Sequence, residues 1–223
     1  MKFRHEWKHE INIGDCVALR QRLNAIMQTD QHSLNGKYEI RSLYFDNIYD
    51  KALREKIDGV AKREKFRIRF YNGDTSFISL EKKTKIGQLT NKQSNVITEE
   101  DAKMLLNGNY ENIESGDRVV LEELCRKIKT QGLMPKTIVD YTREAFVYPA
   151  GNVRVTLDYN IRTGMSCKDF LDPNCITVPA GTPIIILEVK WDEYLPDIIR
   201  DAVQLNGRRS SPYSKYAACR IYG

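Results

Sequence analysis

Two alternating runs joined at Asn72-Gly73 show the pattern that recurs along this chain. From Lys62 to Lys85 the sequence reads KREKFRIRFYNGDTSFISLEKKTK. In the first run Phe66, Ile68 and Phe70 share one face, and Lys65, Arg67, Arg69 and Tyr71 share the other. In the second, Ile78 and Leu80 alternate with Ser79, Glu81, Lys83 and Lys85. Successive side chains of a strand point to opposite sides of its sheet. Asn-Gly between alternating runs is a hairpin signal. The stretch predicts a hairpin with one apolar face and one face crowded with cations around a carboxylate.

The same reading extends in both directions. Residues 3–11 alternate as a strand, with Arg4, Glu6, Lys8 and Glu10 opposite Phe3, Trp7 and Ile11. Asp15 predicts an N-cap for a helix to about Met27, with Val17, Leu19, Leu23 and Ile26 as its apolar stripe. Asn35-Gly36 marks a turn before a strand over Tyr38 to Phe45. Asp46 or Asn47 caps a short helix through Lys56 that Gly59 ends. After the central hairpin, Gly87 interrupts and a strand resumes from Leu89 to Ile97. Glu99, Glu100 and Asp101 open a helix to about Leu106. A second helix runs from Ser115 or Gly116 to Lys129. Strands follow over Lys136 to Tyr148 and Asn152 to Asn160, joined at Pro149-Ala150-Gly151, and over Ile184 to Trp191. Pro196 to Leu205 is helical, Gly207-Arg208-Arg209 ends it, and Pro212 to Tyr222 reads as a short helix.

Composition changes this picture little. The 223 residues, 41% hydrophobic and 29% charged, suit one domain spanning 1–223. The net charge of +5 permits an anionic partner without demanding nucleic acid. Phe66 and Phe70 face away from the arginines of RIRFY, which argues against a base-stacking platform. Five cysteines without CxxC spacing point to reduced thiols and a cytoplasmic setting. No apolar run approaches the ~20 residues that span a membrane. Phosphate loops of the GxxxxGK[ST] or GxGxxG type are absent, and no serine or cysteine sits in a nucleophile motif. The histidines His5, His9 and His32 lack metal-ligand spacing beyond the first two, which are read as surface residues.

Strand parity therefore carries the chemistry. Strands closed into an antiparallel β-barrel, apolar side out against helices, would enclose a charged tunnel in an α+β fold. The inner face collects Lys8, Arg67, Arg69, Lys83, Lys92, Arg143 and Arg154, with Glu6, Glu81 and Glu188. Like charges gathered in one space call for a ligand of opposite sign, most simply a chain of phosphates. Arginine matches phosphate oxygens with a planar fork and lysine with a compact charge. Glu188, mid-strand between apolar neighbours, is either a ligand for Mg2+ or Mn2+ or the partner of an inner cation. Glu6 and Glu81 read as partners of lysine and arginine.

The chain resembles the VTC domain, the catalytic domain of polyphosphate polymerases in the triphosphate tunnel metalloenzyme (CYTH-like) superfamily. RHEWKHEI is similar to its opening strand, with Lys8 at the tunnel lysine, and YEIRSLYFDN to its second strand and turn. FRIRFY carries R-x-R as Arg67 and Arg69. LEKKTK and TNKQ place Lys83 and Lys92, DYTREAF places Arg143, VRVTLDYN places Arg154, ILEVKW places Glu188 as the metal ligand, and SPYSKY places Lys215. The superfamily's ExExK reads here as Arg4-His5-Glu6-Trp7-Lys8, closer to the VTC branch than to the triphosphatases. The resemblance implies transfer of the γ-phosphoryl of ATP to inorganic polyphosphate with a divalent cation. Six cations would grip phosphates, and Lys8 and Lys215 would stabilise the charge that shifts. A triphosphate or polyphosphate hydrolase and a non-catalytic polyphosphate-binding module are the alternatives.

Overall fold

The computed structural model describes residues 4–31, 33–87, 89–205, 207 and 213–222. Phe3, His32, Arg208, Arg209 and Pro212, which figure in the sequence reading, lie outside them. The described residues form one ten-stranded antiparallel sheet and six α-helices. In chain order the strands are β1 (His5–Ile11), β2 (Gln28–Thr29), β3 (Lys37–Asp46), β4 (Lys62–Tyr71), β5 (Asp74–Ile86), β6 (Leu89–Ile97), β7 (Met134–Tyr148), β8 (Val153–Gly164), β9 (Thr177–Pro179) and β10 (Ile185–Trp191). The helices are α1 (Ile13–Ile26), α2 (Lys51–Ile57), α3 (Glu99–Leu106), α4 (Val119–Gln131), α5 (Asp197–Val203) and α6 (Lys215–Tyr222). None of the helices is long and apolar enough to cross a membrane.

The sheet runs in the order β1-β10-β8-β7-β3-β4-β5-β6, with β2 added to β7 and β9 to β8. This corrects the expectation of a closed barrel. The sheet curls, but among the described residues β1 and β6 form no ladder. Their ends meet at one isolated bridge, between Arg4 and Thr90. The two strands overlap only at their N-terminal ends, so the described residues leave too few backbone partners to zip the seam.

The central hairpin pairs as its alternation requires, with Ile68 opposite Leu80, Arg67 opposite Glu81 and Lys65 opposite Lys83. Phe66, Ile68, Phe70, Ile78 and Leu80 point away from the cations into a core shared with Ala102 and Leu105 of α3 and Val120, Leu121 and Leu124 of α4. Fully burying each large apolar side chain contributes about 1.5–3 kcal/mol. A second cluster sets Val153, Val155, Leu187 and Val189 against Leu19 and Leu23 of α1 and Ile199 and Val203 of α5. These helices cover the apolar side of the sheet, as expected. Helix α6 does not. Its Tyr216 and Cys219 pack with Tyr38, Ile40, Tyr44, Tyr141 and Ile186, on the side opposite Leu43 and Phe45, which is the cationic face.

Two helix starts differ instructively from the sequence reading. Helix α1 begins at Ile13 because Asn12 is the cap: its side chain accepts from the Asp15 amide while the Asp15 carboxylate accepts from the Asn12 amide. Asp15 is thus the reciprocal partner of a capping box, three residues inside. Helix α2 draws on both predicted caps. Asp46, fully buried, accepts from the amides of Ala52 and Leu53, and Asn47 accepts from that of Lys51. Helix α4 starts only at Val119, where Asn95 of β6 accepts from the Val120 amide at 2.7 Å.

The β7–β8 turn depends on Gly151. Its φ is +71°, and a Cβ there would lie 2.4 Å from the backbone oxygen of Tyr194. Gly151→Ala is expected to cost about 1–3 kcal/mol of stability, read as a lower urea midpoint with an unchanged slope. A substitution without effect would show that the loop at Tyr194 yields freely.

Candidate functional site: a cationic cavity on the inner face

The concave face of the curled sheet encloses a cavity of about 380 Å³. Eleven lysines and arginines line it, against three carboxylates, Glu6, Glu64 and Glu188. Strand alternation delivers them. Lys8 comes from β1, Arg67 and Arg69 from β4, Lys83 from β5, Arg143 from β7, Glu188 from β10 and Lys215 from the first turn of α6. Seven of the nine residues assigned from the sequence to phosphate or metal therefore share one wall. The other two stand off it. Lys92 is half exposed and bonds Glu81 at 2.7 Å, while Arg154 reaches Asp30 at 2.9 Å.

Glu188 sits where three strands meet, opposite Lys8 on β1 and Thr156 on β8. Its carboxylate lies 3.2 Å from Lys8, 3.0 Å from Lys190 and 3.5 Å from Arg143. Burial works against its ionisation, yet Lys190, Lys8 and Arg143 hold it well below the usual carboxylate range. Glu6 bridges Lys8 at 2.7 Å and Lys83 at 3.3 Å. Glu81 receives Arg67 at 2.5 Å, so both glutamates act as the partners of cations that their parity suggested.

Arg69 is almost fully buried and bonds two hydroxyls, Ser42 at 2.8 Å and Tyr141 at 3.0 Å. Arg67 donates to Tyr44 at 2.8 Å. Burial alone would raise the Tyr44 hydroxyl, but the charges of Arg67, Lys65 and Arg69 bring it down to about 7. The ring of Tyr141 has Lys215 4.6 Å and Arg143 5.4 Å from its centroid, a cation–π arrangement.

Asp158 is the anchor that sequence reasoning passed over. It is completely buried, and Arg143 grips it with two bonds of 2.6 and 2.7 Å while Lys215 adds one of 2.5 Å. Lys65, placed on the cationic face by alternation, was given no role, and Lys190, Tyr44 and Tyr141 were also missed. For Asp158 and Lys190 the signal was present, since they alternate in step with Arg154 and Glu188. The tyrosines gave none, because an aromatic residue in a strand reads equally well as core.

A metal has limited provision here. Among the described residues, no three His, Cys, Asp or Glu side chains gather as a cage. Mg2+ and Mn2+ can, however, be held by one carboxylate together with substrate phosphate oxygens and water. Glu188, ionised and facing the cavity, fits that mode.

Solved structures of low identity share this fold. A putative adenylate cyclase from Bacillus halodurans is 14% identical, covers 85% of this chain and 80% of its own, and has a TM-score of 0.51. A protein of Pyrococcus horikoshii OT3 is 12% identical, with 95% and 96% covered and a TM-score of 0.52. A conserved hypothetical protein from Pyrococcus furiosus is 14% identical, with 97% and 99% covered and a TM-score of 0.50. No curated protein matches the chain. The class is thus an α+β fold built on one curled antiparallel sheet. Within it the model of the VTC domain matches residues 3–221, nearly the whole chain, and the chain belongs to that family.

Proposed function

We propose that the protein is an ATP-dependent polyphosphate polymerase, moving the γ-phosphoryl of ATP onto the end of a polyphosphate chain. The observation that carries this reading is the uncompensated charge of the cavity. Even with buried Glu81 and Asp158 set behind the wall, cations remain in excess of carboxylates. A polyanion is the ligand that relieves this. Arg67, Arg69, Lys83 and Arg143 would grip successive phosphates, and Lys8 and Lys215 would stabilise the charge that shifts at transfer. Lys92 would act on this wall through Glu81, and Arg154 would meet a chain only beyond the cavity. Glu188 would hold Mn2+ or Mg2+, and such an ion, when bound, supplies charge neutralisation on the phosphates. The acceptor phosphate is already ionised, so positioning and electrostatics supply most of the rate and no strong base is required.

The test is the fate of ATP incubated with the protein and Mn2+. The expected result is a ladder of long polyphosphate on a gel. Free phosphate without a ladder would establish a hydrolase, and calorimetric binding without turnover would establish a binding module; either outcome would displace the polymerase reading.

A further inference from the structure

The cavity's cations divide into two groups. Around Glu188 and Asp158 they are neutralised in place: Lys8, Lys190, Arg143 and Lys215 each lie within 3.5 Å of a carboxylate oxygen. Toward the mouth formed by α2, the start of β4 and the end of β5, Lys56, Arg63, Lys65 and Lys85 make no ion pair among the described residues, and Lys83 shares Glu6 with Lys8, at 3.3 Å. Lys65 is central to this second group. It projects from the inner face between Arg63 and Arg67 and stands directly opposite Lys83. Among the described residues it makes no ion pair, and its ammonium lies 5.4 Å from the centroid of the Tyr44 ring.

We propose that Lys65 is a further phosphate ligand, and that a phosphate entering between Lys65 and Lys83 brings a proton with it onto Lys65. This rests on the reading of the cavity as a polyphosphate site and adds to it a residue and a pH dependence. The groups facing Lys65 are Tyr44 from β3, Arg67 beside it on β4, Lys83 from β5 and Lys8 from β1. Burial and the cations Lys83, Lys8 and Arg67 press its ammonium down to about 7, against the opposing pull of Tyr44. Lys83 opposite is likewise lowered to about 8, by burial and then Lys8. An ammonium so discouraged gains most from a doubly charged phosphate placed beside it. The sign follows. The loaded site holds more protons than the empty one, so raising pH above about 7 weakens binding, by up to roughly tenfold per pH unit for each proton taken up.

Tripolyphosphate titrated calorimetrically at pH 7.5, in two buffers of different ionisation enthalpy, tests this in the wild type, Lys65→Arg and Lys65→Met. The ligand's own titration is common to all three, so differences between proteins report on position 65. Lys65→Arg carries a permanent charge. It is expected to bind with near wild-type affinity while taking up fewer protons than the wild type. Lys65→Met is expected to lose about tenfold in affinity, together with the same part of the uptake. Thermal melts of each variant check folding. Equal proton uptake by the wild type and Lys65→Arg, or full affinity in Lys65→Met, would overturn the assignment while leaving the phosphate site standing. A wild type that binds no tripolyphosphate would instead remove the polyphosphate reading itself.

Discussion

Glu188→Gln is expected to lower metal-dependent turnover on the order of a hundredfold or more while leaving nucleotide binding intact. The amide keeps the size of the side chain but not its charge. In the wild type that charge faces Lys8 at 3.2 Å and Lys190 at 3.0 Å, and it would face a phosphate chain as well. Its removal has two opposite consequences. A divalent cation would lose the carboxylate proposed to hold it, so chemistry would suffer. Without metal, a triphosphate no longer meets a negative group among the cations, so a non-hydrolysable ATP analogue should bind the variant at least as tightly as the wild type. Calorimetry with and without Mn2+, alongside turnover, separates these consequences. Intact metal-dependent turnover would return Glu188 to the role of an ion-pair partner. A variant unable to bind the analogue at all would make it a structural strut.

How much was legible in the sequence follows from what strand periodicity encodes. Alternation names the face a side chain occupies, so Lys8, Arg67, Arg69, Lys83, Arg143 and Glu188 were assigned to one face correctly, and all of them line the cavity. Alternation does not say how far along a tilted strand the cavity extends. Arg154 shares the inner face yet is drawn to Asp30, just after β2. Nor does it reveal which cations are already neutralised, because partners such as Arg143 with Asp158 come together through sheet pairing between separate strands. Closure is a property of strand overlap, and among the described residues β1 and β6 meet only at the Arg4–Thr90 bridge, which alternation along either strand does not foretell. The placement of α6 depended on single contacts. Tyr216 donates to buried Asp46 at 2.7 Å and stacks on Tyr44, which draws the helix onto the cationic face.

Asp158→Asn is expected to destabilise the fold by about 3–5 kcal/mol at neutral pH, because it strips two buried cations of their common partner. Arg143 loses a bidentate carboxylate and Lys215 its 2.5 Å contact. The pH dependence has a definite sign. Burial would raise the Asp158 carboxyl, but Arg143 and Lys215 lower it to about 2, against about 3.9 in an unfolded chain. A depressed carboxyl stabilises fully above its unfolded value and loses that contribution as pH falls through the folded one. The gap between wild type and variant should therefore be constant above about pH 5 and should narrow steadily toward pH 2. The same substitution frees Arg143 and Lys215, both in the cavity wall, to take an external anion. Tripolyphosphate should accordingly raise the melting temperature of Asp158→Asn by more than it raises that of the wild type. Urea denaturation across pH 2–7 measures the first effect and ligand-dependent melting the second. Equal stability of the two proteins at pH 7 would show that the cations find other partners. An equal ligand shift would place the phosphate chain away from Arg143 and Lys215.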